Sequence, residues 1–218
     1  MAERVFADRA EAGRLLGAHL AGLGLADPVV LGLPRGGVVV AAHAAAALGS
    51  VAEVFVARKI GHPRQPEYGL GALAEGGDPV YDRAAMARLG LQAGDLTAVV
   101  EAERAELARR VRLYRGSRPF PALTGRTVVL VDDGIATGVT ARAALHALRV
   151  HGPDRLLLAA PVGAAASLRD LAGDADEFVV LERPAHFGAV GRWYAVFDQV
   201  SDATVLQLLA TPPGRRSR

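Results

Sequence analysis

Val128-Val129-Leu130-Val131-Asp132-Asp133-Gly134-Ile135-Ala136-Thr137-Gly138-Val139-Thr140 is the stretch that fixes how the whole chain is read. Consecutive β-formers end in two carboxylates, a loop of glycine and threonine follows, and an alanine-rich helical run comes next. An unbroken apolar run of this length between turn signals fits a strand buried on both faces. The pattern predicts a helix starting near Thr137 or Gly138. Its first N–H groups lack intrahelical partners, and its dipole is positive at that end. Glycine lets an oxyanion approach the backbone, and threonine hydroxyls add donors. Residues 134–140 therefore suit a phosphate. Asp132 and Asp133 repel a phosphate but suit what is attached to it, either hydroxyl groups or a hydrated metal ion. A sugar phosphate meets both demands, with phosphate in the loop and the ribose diol on the acid pair. A generic strand–turn–helix with an exposed acidic turn would not require the apolar run, the acid pair and Thr-Gly-x-Thr in one register.

Working outward, Pro28 to Leu33 is a short apolar strand running into Pro34-Arg35-Gly36-Gly37 and a helical run, Val38 to Leu48. This is a second strand–loop–helix with glycines at the turn, again an anion-binding geometry, and Arg35 adds fixed positive charge. Taken alone, it reads first as a tight glycine-capped turn; beside residues 128–140 the anion-binding reading prevails. Val51 to Ala57 reads as a strand ending at Arg58-Lys59, and Lys59 is the only lysine in the chain. Cations at a strand's C-terminal end lie where ligands bind in open α/β sheets. Phe6 to Leu23 reads as an amphipathic helix capped by Asp8, with Ala12, Leu15, Leu16, His19 and Leu20 on one face and His19 partly buried.

Gly61 to Gly77 holds several prolines and glycines with few apolar anchors, and it reads as a long mobile loop. Within it, Leu70 to Ala74 and Val80-Tyr81 suggest a hairpin around Gly76-Gly77-Asp78. Gly69-x-Gly71-x-x-Ala74 mimics a dinucleotide fingerprint, but it follows no strand and opens no helix, so it is discarded. Asp82 to Arg115 reads as two helices broken between Gly90 and Gly94, with an ion-paired face of Glu101, Glu103, Glu106, Arg104, Arg109, Arg110 and Arg112. The long helix should cover the sheet, contact a partner subunit, or both. Ser117 to Leu123 leads back to the core.

Beyond the central helix, Arg155 to Ala160 and Glu177 to Leu181 read as strands flanking a helix, Ala164 to Ala172. Alternating strands and helices with short turns imply a parallel, doubly wound sheet. Past Glu182-Arg183-Pro184 the chain gathers His186, Phe187, Trp193, Tyr194 and Phe197, aromatics sparse elsewhere. They could stack on a ligand ring or build a small satellite core. Ser201 to Ala210 reads as a closing helix and Pro212 to Arg218 as a frayed tail.

Composition narrows the classes. The 218 residues are 51% hydrophobic, enough for the core of one domain. The absence of cysteine excludes disulfides, thiolate metal sites and a cysteine nucleophile. A formal charge of +2 implies no general attraction to nucleic acid. No apolar run reaches membrane-spanning length, and the N-terminus lacks a signal core, so a soluble cytoplasmic protein is expected. Gly-x-Ser-x-Gly, His-Glu-x-x-His and Gly-Lys-Ser/Thr patterns do not occur, which argues against serine hydrolases, zincins and nucleotide triphosphatases.

The opening stretch resembles the phosphoribosyl-pyrophosphate signature of the type I phosphoribosyltransferases: a hydrophobic strand, two acidic residues, then a short loop ending Thr/Ser-Gly-x-Thr/Ser. The match is complete over residues 128–140. Pro34-Arg35-Gly36-Gly37 and Arg58-Lys59-Ile60-Gly61 look like a bacterial subgroup of unassigned acceptor specificity. The resemblance extends over about Val29 to Leu181. It implies an α/β fold, a doubly wound, mainly parallel sheet with helices on both faces, plus a small hood. As one domain, 1–218 would comprise a core at about 25–181, a lid at 61–79, a helical elaboration at 82–118, and a hood at about 182–210 that binds the acceptor base.

The resemblance also implies an activity: transfer of the 5-phosphoribosyl group from phosphoribosyl pyrophosphate to a nucleobase-like acceptor, with release of pyrophosphate. Gly134, Ile135, Ala136, Thr137, Gly138, Val139 and Thr140 would hold the 5′-phosphate. Asp132 and Asp133 would accept the ribose hydroxyls. Arg35, Gly36, Gly37, Arg58 and Lys59 would meet the pyrophosphate, and in this family the 34–37 loop often contains a non-proline cis peptide. His62 and Arg64 are lid candidates. Mg²⁺ would bind mainly through substrate oxygens and water, with no dedicated protein cage. The expected partners are phosphoribosyl pyrophosphate and a small acceptor; a homo-oligomer is compatible, and no nucleic acid or membrane is expected. The alternatives are a non-catalytic sensor of phosphoribosyl nucleotides and a sugar-phosphate hydrolase or phosphorylase.

Overall fold

A computed structural model describes residues 4–210. The expected tail, Pro212 to Arg218, lies outside the described residues. Five parallel strands form the central sheet: β1 (Val29–Gly32), β2 (Ala52–Val54), β6 (Thr127–Val131), β7 (Arg155–Val162) and β8 (Glu177–Glu182), in the order β2-β1-β6-β7-β8. Leu31 lies beside Leu130, and Leu130 beside Leu158. The chain winds outward from β1 on one side and from β6 on the other. The C-terminal ends of these two neighbours therefore form the switch point at which open α/β sheets bind ligands. Leu33 N–H donates to Val131 O at 2.9 Å and ties the two ends together.

Alternation along the strands explains the layers. Val30, Val129, Val131, Leu157 and Val179 face α1 (Arg9–Ala21) and α2 (Gly36–Ala47). Val29, Leu31, Val128, Leu130, Leu156 and Leu158 face α5 (Val139–Arg149) and α6 (Ala165–Asp170). With both faces covered, the strands need continuous apolar runs, as the sequence has. α1 and α2 cross at near contact. A Cβ on Gly17 would come within 2.8 Å of the Ala44 backbone, so a larger residue there would push the helices apart.

Asp8 caps α1 by accepting from Glu11 N–H at 2.7 Å. The expected helix is shortened at its start, because Phe6 leaves it to pair with Tyr194. His19, expected to be partly buried, is exposed at the end of α1, where a basic residue suits the negative helix end.

Residues 51–81 depart most from expectation. Arg58 and Lys59 do not end a core strand. They lie inside β3 (Ala57–His62), which pairs antiparallel with β4 (Gln65–Ala74); β4 in turn pairs with β5 (Val80–Tyr81), Gly71 opposite Tyr81. The stretch expected as a long mobile loop is thus mainly a hairpin. It has more anchors than it showed in sequence, because alternate residues bury on opposite faces. Ala72 and Ala74 pack toward α5, while Ile60, Leu70 and Leu73 pack toward α3 (Arg83–Leu89) and α4 (Thr97–Arg115). The expected pairing of 70–74 with 80–81 is present.

The break at Gly90 is also present, since Gly90 closes α3 in a left-handed conformation at φ 65°. α4 covers this antiparallel sheet rather than the parallel one. Its last residue, Arg115, is only 6% exposed. It pairs with Glu75, donates from Nη2 to Val54 O at 2.8 Å, and lies 4.9 Å from the Phe120 ring centre. α7 (Asp202–Leu209), capped by Ser201, closes the described chain.

Candidate active site

The signature loop descends from β6 and is pinned before it turns. Ile135 N–H donates to Val162 O at 2.9 Å, its carbonyl accepts from Ala164 N–H at 2.8 Å, and its side chain is buried. The Ala136 carbonyl accepts from Ser167 Oγ. Gly138 takes φ 74° at the start of α5, a region that a β-carbon disfavours, and no side chain caps that helix. The first N–H groups of α5 are thus left for another acceptor. Asp132, Gly134, Ile135, Ala136, Thr137, Gly138, Thr140 and Ala141 line a concavity of about 350 Å³. Ala136 and Thr137 form its exposed rim, whereas Val139 packs against the α5 core cluster and does not line it.

The two carboxylates are not equivalent. Asp132 belongs to the wall of this concavity, and its Oδ1 accepts from Asp133 N–H at 2.9 Å. Burial, and next the charge of Asp133, push its carboxyl well above the usual carboxylate range. Asp133 turns toward the start of α2. Arg9 Nε donates to its Oδ2 at 2.8 Å, and Tyr194 OH donates to its backbone carbonyl at 2.6 Å. Burial, helped by the neighbouring acid charge, pushes the Tyr194 hydroxyl up, which keeps it a proton donor.

A second hollow, of about 600 Å³, is lined by Arg9, Arg35, Gly36, Phe197, Asp198, Gln199 and Val200. The Pro34–Arg35 peptide at its edge is cis. Arg35 Nη1 lies 3.6 Å from Asp202, whose carboxylate also accepts from Tyr114 OH at 2.6 Å. Gly37 is buried against the end of β6, where a Cβ would come within 2.7 Å of Val131 O. Among the described residues, no three His, Asp or Glu side chains converge to hold a metal ion.

Residues 7–190 match the phosphoribosyl transferase domain. The chain belongs to the phosphoribosyl transferase family. Two strains of Mycobacterium tuberculosis carry a protein provisionally named a phosphoribosyl transferase. It is 45% identical over 206 residues, which are 94% of this chain and 46% of the relative. The chain therefore spans about half the length of the curated relatives it matches. The crystal structure of TT1426 from Thermus thermophilus is 44% identical, with 94% of this chain and 97% of that one covered and a TM-score of 0.79.

Within this phosphoribosyl transferase fold, the site residues expected from sequence divide among three concavities. Asp132 and most of loop 134–140 share the first. Arg35 and Gly36 border the second, with Asp133 packed against Gly36. Arg58, Lys59 and His62 line a third cleft, between the hairpin and α4, where Arg58 Nε donates to Glu103 at 2.7 Å. Of the aromatics, Phe187, Trp193 and Tyr194 join Phe6 in a satellite core, whereas Phe197 stays exposed at the second hollow. The satellite core is thus present for Phe187, Trp193 and Tyr194, while the Phe197 ring lies 3.8 Å from the Arg9 guanidinium.

Sequence reading missed Arg9 and Asp202 at the site, and the bond of the Tyr194 hydroxyl to Asp133. Arg9 carried a faint signal. It opens α1, where the helix dipole disfavours a cation, so its charge needed an acid elsewhere. Tyr194 was marked only as one of the gathered aromatics, and nothing local marked Asp202; both arrive from the far end of the chain.

Proposed function

We propose that this chain transfers the 5-phosphoribosyl group of phosphoribosyl pyrophosphate to the nitrogen of a small, nucleobase-like acceptor, releasing pyrophosphate. The observation that carries this reading is the concavity in which Asp132 and the uncapped start of α5 converge at the switch point of the sheet. The N–H groups of 137–141 and the hydroxyls of Thr137 and Thr140 suit the 5′-phosphate. Asp132 and Asp133 suit the ribose hydroxyls, and their charge favours the cationic ring that develops as the C1–oxygen bond breaks. Arg35 and the start of α2 suit the departing pyrophosphate. Mg²⁺, when bound, would neutralise phosphate charge; with no converging set of protein ligands among the described residues, substrate oxygens and water would hold it. The hairpin 57–74, carrying Lys59, would exclude water so that the acceptor rather than water attacks C1.

One observation favours the alternative of a non-catalytic phosphoribosyl nucleotide sensor: Arg58 is paired with Glu103, and with Lys59 it lines a cleft separate from the phosphate loop. The deciding experiment is pyrophosphate release from phosphoribosyl pyrophosphate with Mg²⁺ across a panel of purine, pyrimidine and related bases. Release that depends on one base supports the transferase. Tight binding of nucleoside monophosphates with no release under any base supports the sensor.

A further inference from the structure

Asp133 is gripped by residues that lie outside the strand and loop that carry it. Arg9, from the first turn of α1, donates from Nε to Asp133 Oδ2 and from Nη1 to the Asp198 carbonyl, at 2.8 and 2.9 Å. Its guanidinium stands 3.8 Å from the Phe197 ring centre and 5.9 Å from that of Tyr194. Its side chain is only 12% exposed. A solvated surface arginine would make none of these contacts, and its position at the positive end of α1 shows that helix stability does not account for it.

We infer that Arg9 is a positioning residue for the acid pair: it fixes the Asp133 carboxylate against Gly36 and couples it to the C-terminal segment 194–198. Two features support this. Adjacent carboxylates repel, and a guanidinium bonded to one of them offsets part of that repulsion. The residue must also be arginine in full, because one planar fork serves a carboxylate, a carbonyl and an aromatic face at once, which an ammonium cannot do. The consequence is a divided pair. Asp132 lines the concavity of loop 134–140, and Asp133 is held against Gly36, which borders the second hollow. Arg9 thus joins the acid pair to the C-terminal segment, beside the Tyr194 hydroxyl bonded to the Asp133 carbonyl.

The inference depends on the phosphoribosyl reading, since it takes Asp133 to be a ribose ligand acting under Arg9. The test is calorimetric titration of ribose 5-phosphate into the full chain as wild type, Arg9→Gln, Arg9→Lys, Asp133→Asn and the Arg9→Gln/Asp133→Asn double variant. Loss of a charge-assisted contact should weaken binding about tenfold in Arg9→Gln, with partial recovery in Arg9→Lys. In the Asp133→Asn background the same Arg9→Gln change should alter affinity less than about twofold, because its target is gone. Equal loss in both backgrounds, or wild-type affinity in Arg9→Gln, overturns the positioning role. Should Arg9→Gln fail to fold, Arg9→Lys in the two Asp133 backgrounds closes the same cycle. Failure of the wild type to bind ribose 5-phosphate is a distinct result, and it removes the phosphoribosyl reading together with this inference.

Discussion

The Asp133 carboxylate occupies the space a side chain at Gly36 would need: a Cβ on Gly36 would come within 1.8 Å of Asp133 Oδ2 and 2.8 Å of Arg9 Nε. The glycine after Arg35 thus serves the acid pair across the switch point as well as its own turn. Gly36→Ala should expel the carboxylate and break its bond to Arg9. Alanine is the better helix former by about 1 kcal/mol, so any loss of stability comes from the clash. A net loss of about 1–3 kcal/mol is expected, at roughly 2–4 °C of melting temperature per kcal/mol, together with weaker ribose 5-phosphate binding. Unchanged melting and binding would mean that Asp133 moves aside freely.

Asp132 should limit stability where it serves binding. Its carboxyl is pushed up on folding, by burial first and the Asp133 charge second. The stabilisation from its protonated form is complete below the unfolded pKa and is lost as pH rises through the folded pKa. Above the unfolded pKa the upward shift therefore opposes folding. Asp132→Asn keeps an oxygen for Asp133 N–H and should raise the melting temperature near pH 7. That gain should fade as the pH falls into the range where the wild-type carboxyl is itself protonated. Ribose 5-phosphate affinity should fall in the same variant, and turnover should be abolished when Asp133→Asn is added. A variant less stable than wild type at pH 7 would contradict this account.

Thr137 separates binding from folding in the other direction. It is exposed on the rim of the phosphate concavity, so Thr137→Ala should leave melting unchanged. Losing a hydroxyl donor to a charged phosphate, worth roughly 1.5–3 kcal/mol, should weaken ribose 5-phosphate binding about 10- to 150-fold. Calorimetry showing wild-type affinity would take this loop out of the phosphate site.

Hydrogen exchange should divide the hairpin in two. Ala57 to Ile60 pair in register with Gly71 to Ala74 over buried side chains, whereas the register slips at Gly61 and His62. Amides of 57–60 and 71–74 should be protected without ligand. Those of 61–69 should exchange rapidly and slow only with phosphoribosyl pyrophosphate and Mg²⁺. Uniform protection in the free protein would describe a fixed structural hairpin and favour the sensor. Ligand-dependent protection at the tip, with slower pyrophosphate release in Lys59→Ala, would support a closing lid.

What the sequence by itself determined was whatever depends on neighbours along the chain. The parallel sheet was legible because strands buried on both faces require unbroken apolar runs such as 128–131 and 155–160. The loop at the start of α5 was legible because a strand–turn–helix junction of this kind is built from adjacent residues, glycines and threonines among them. The cap at Asp8 was legible for the same reason. What only the tertiary structure decided depends on partners far apart in sequence. Arg58 and Lys59 read as a strand end because their pairing strand follows only after a turn with mixed turn and strand signals. The 70–74 segment read as poorly anchored because its two faces bury against α5 and α4, each invisible locally. The two aspartates read as equivalent until Arg9, 124 positions away, took hold of one and left the other in the concavity. Adjacency along the chain gave both acids the same charge and strand end, but long-range packing determined which carboxylate lines the concavity with loop 134–140 and which is held against Gly36.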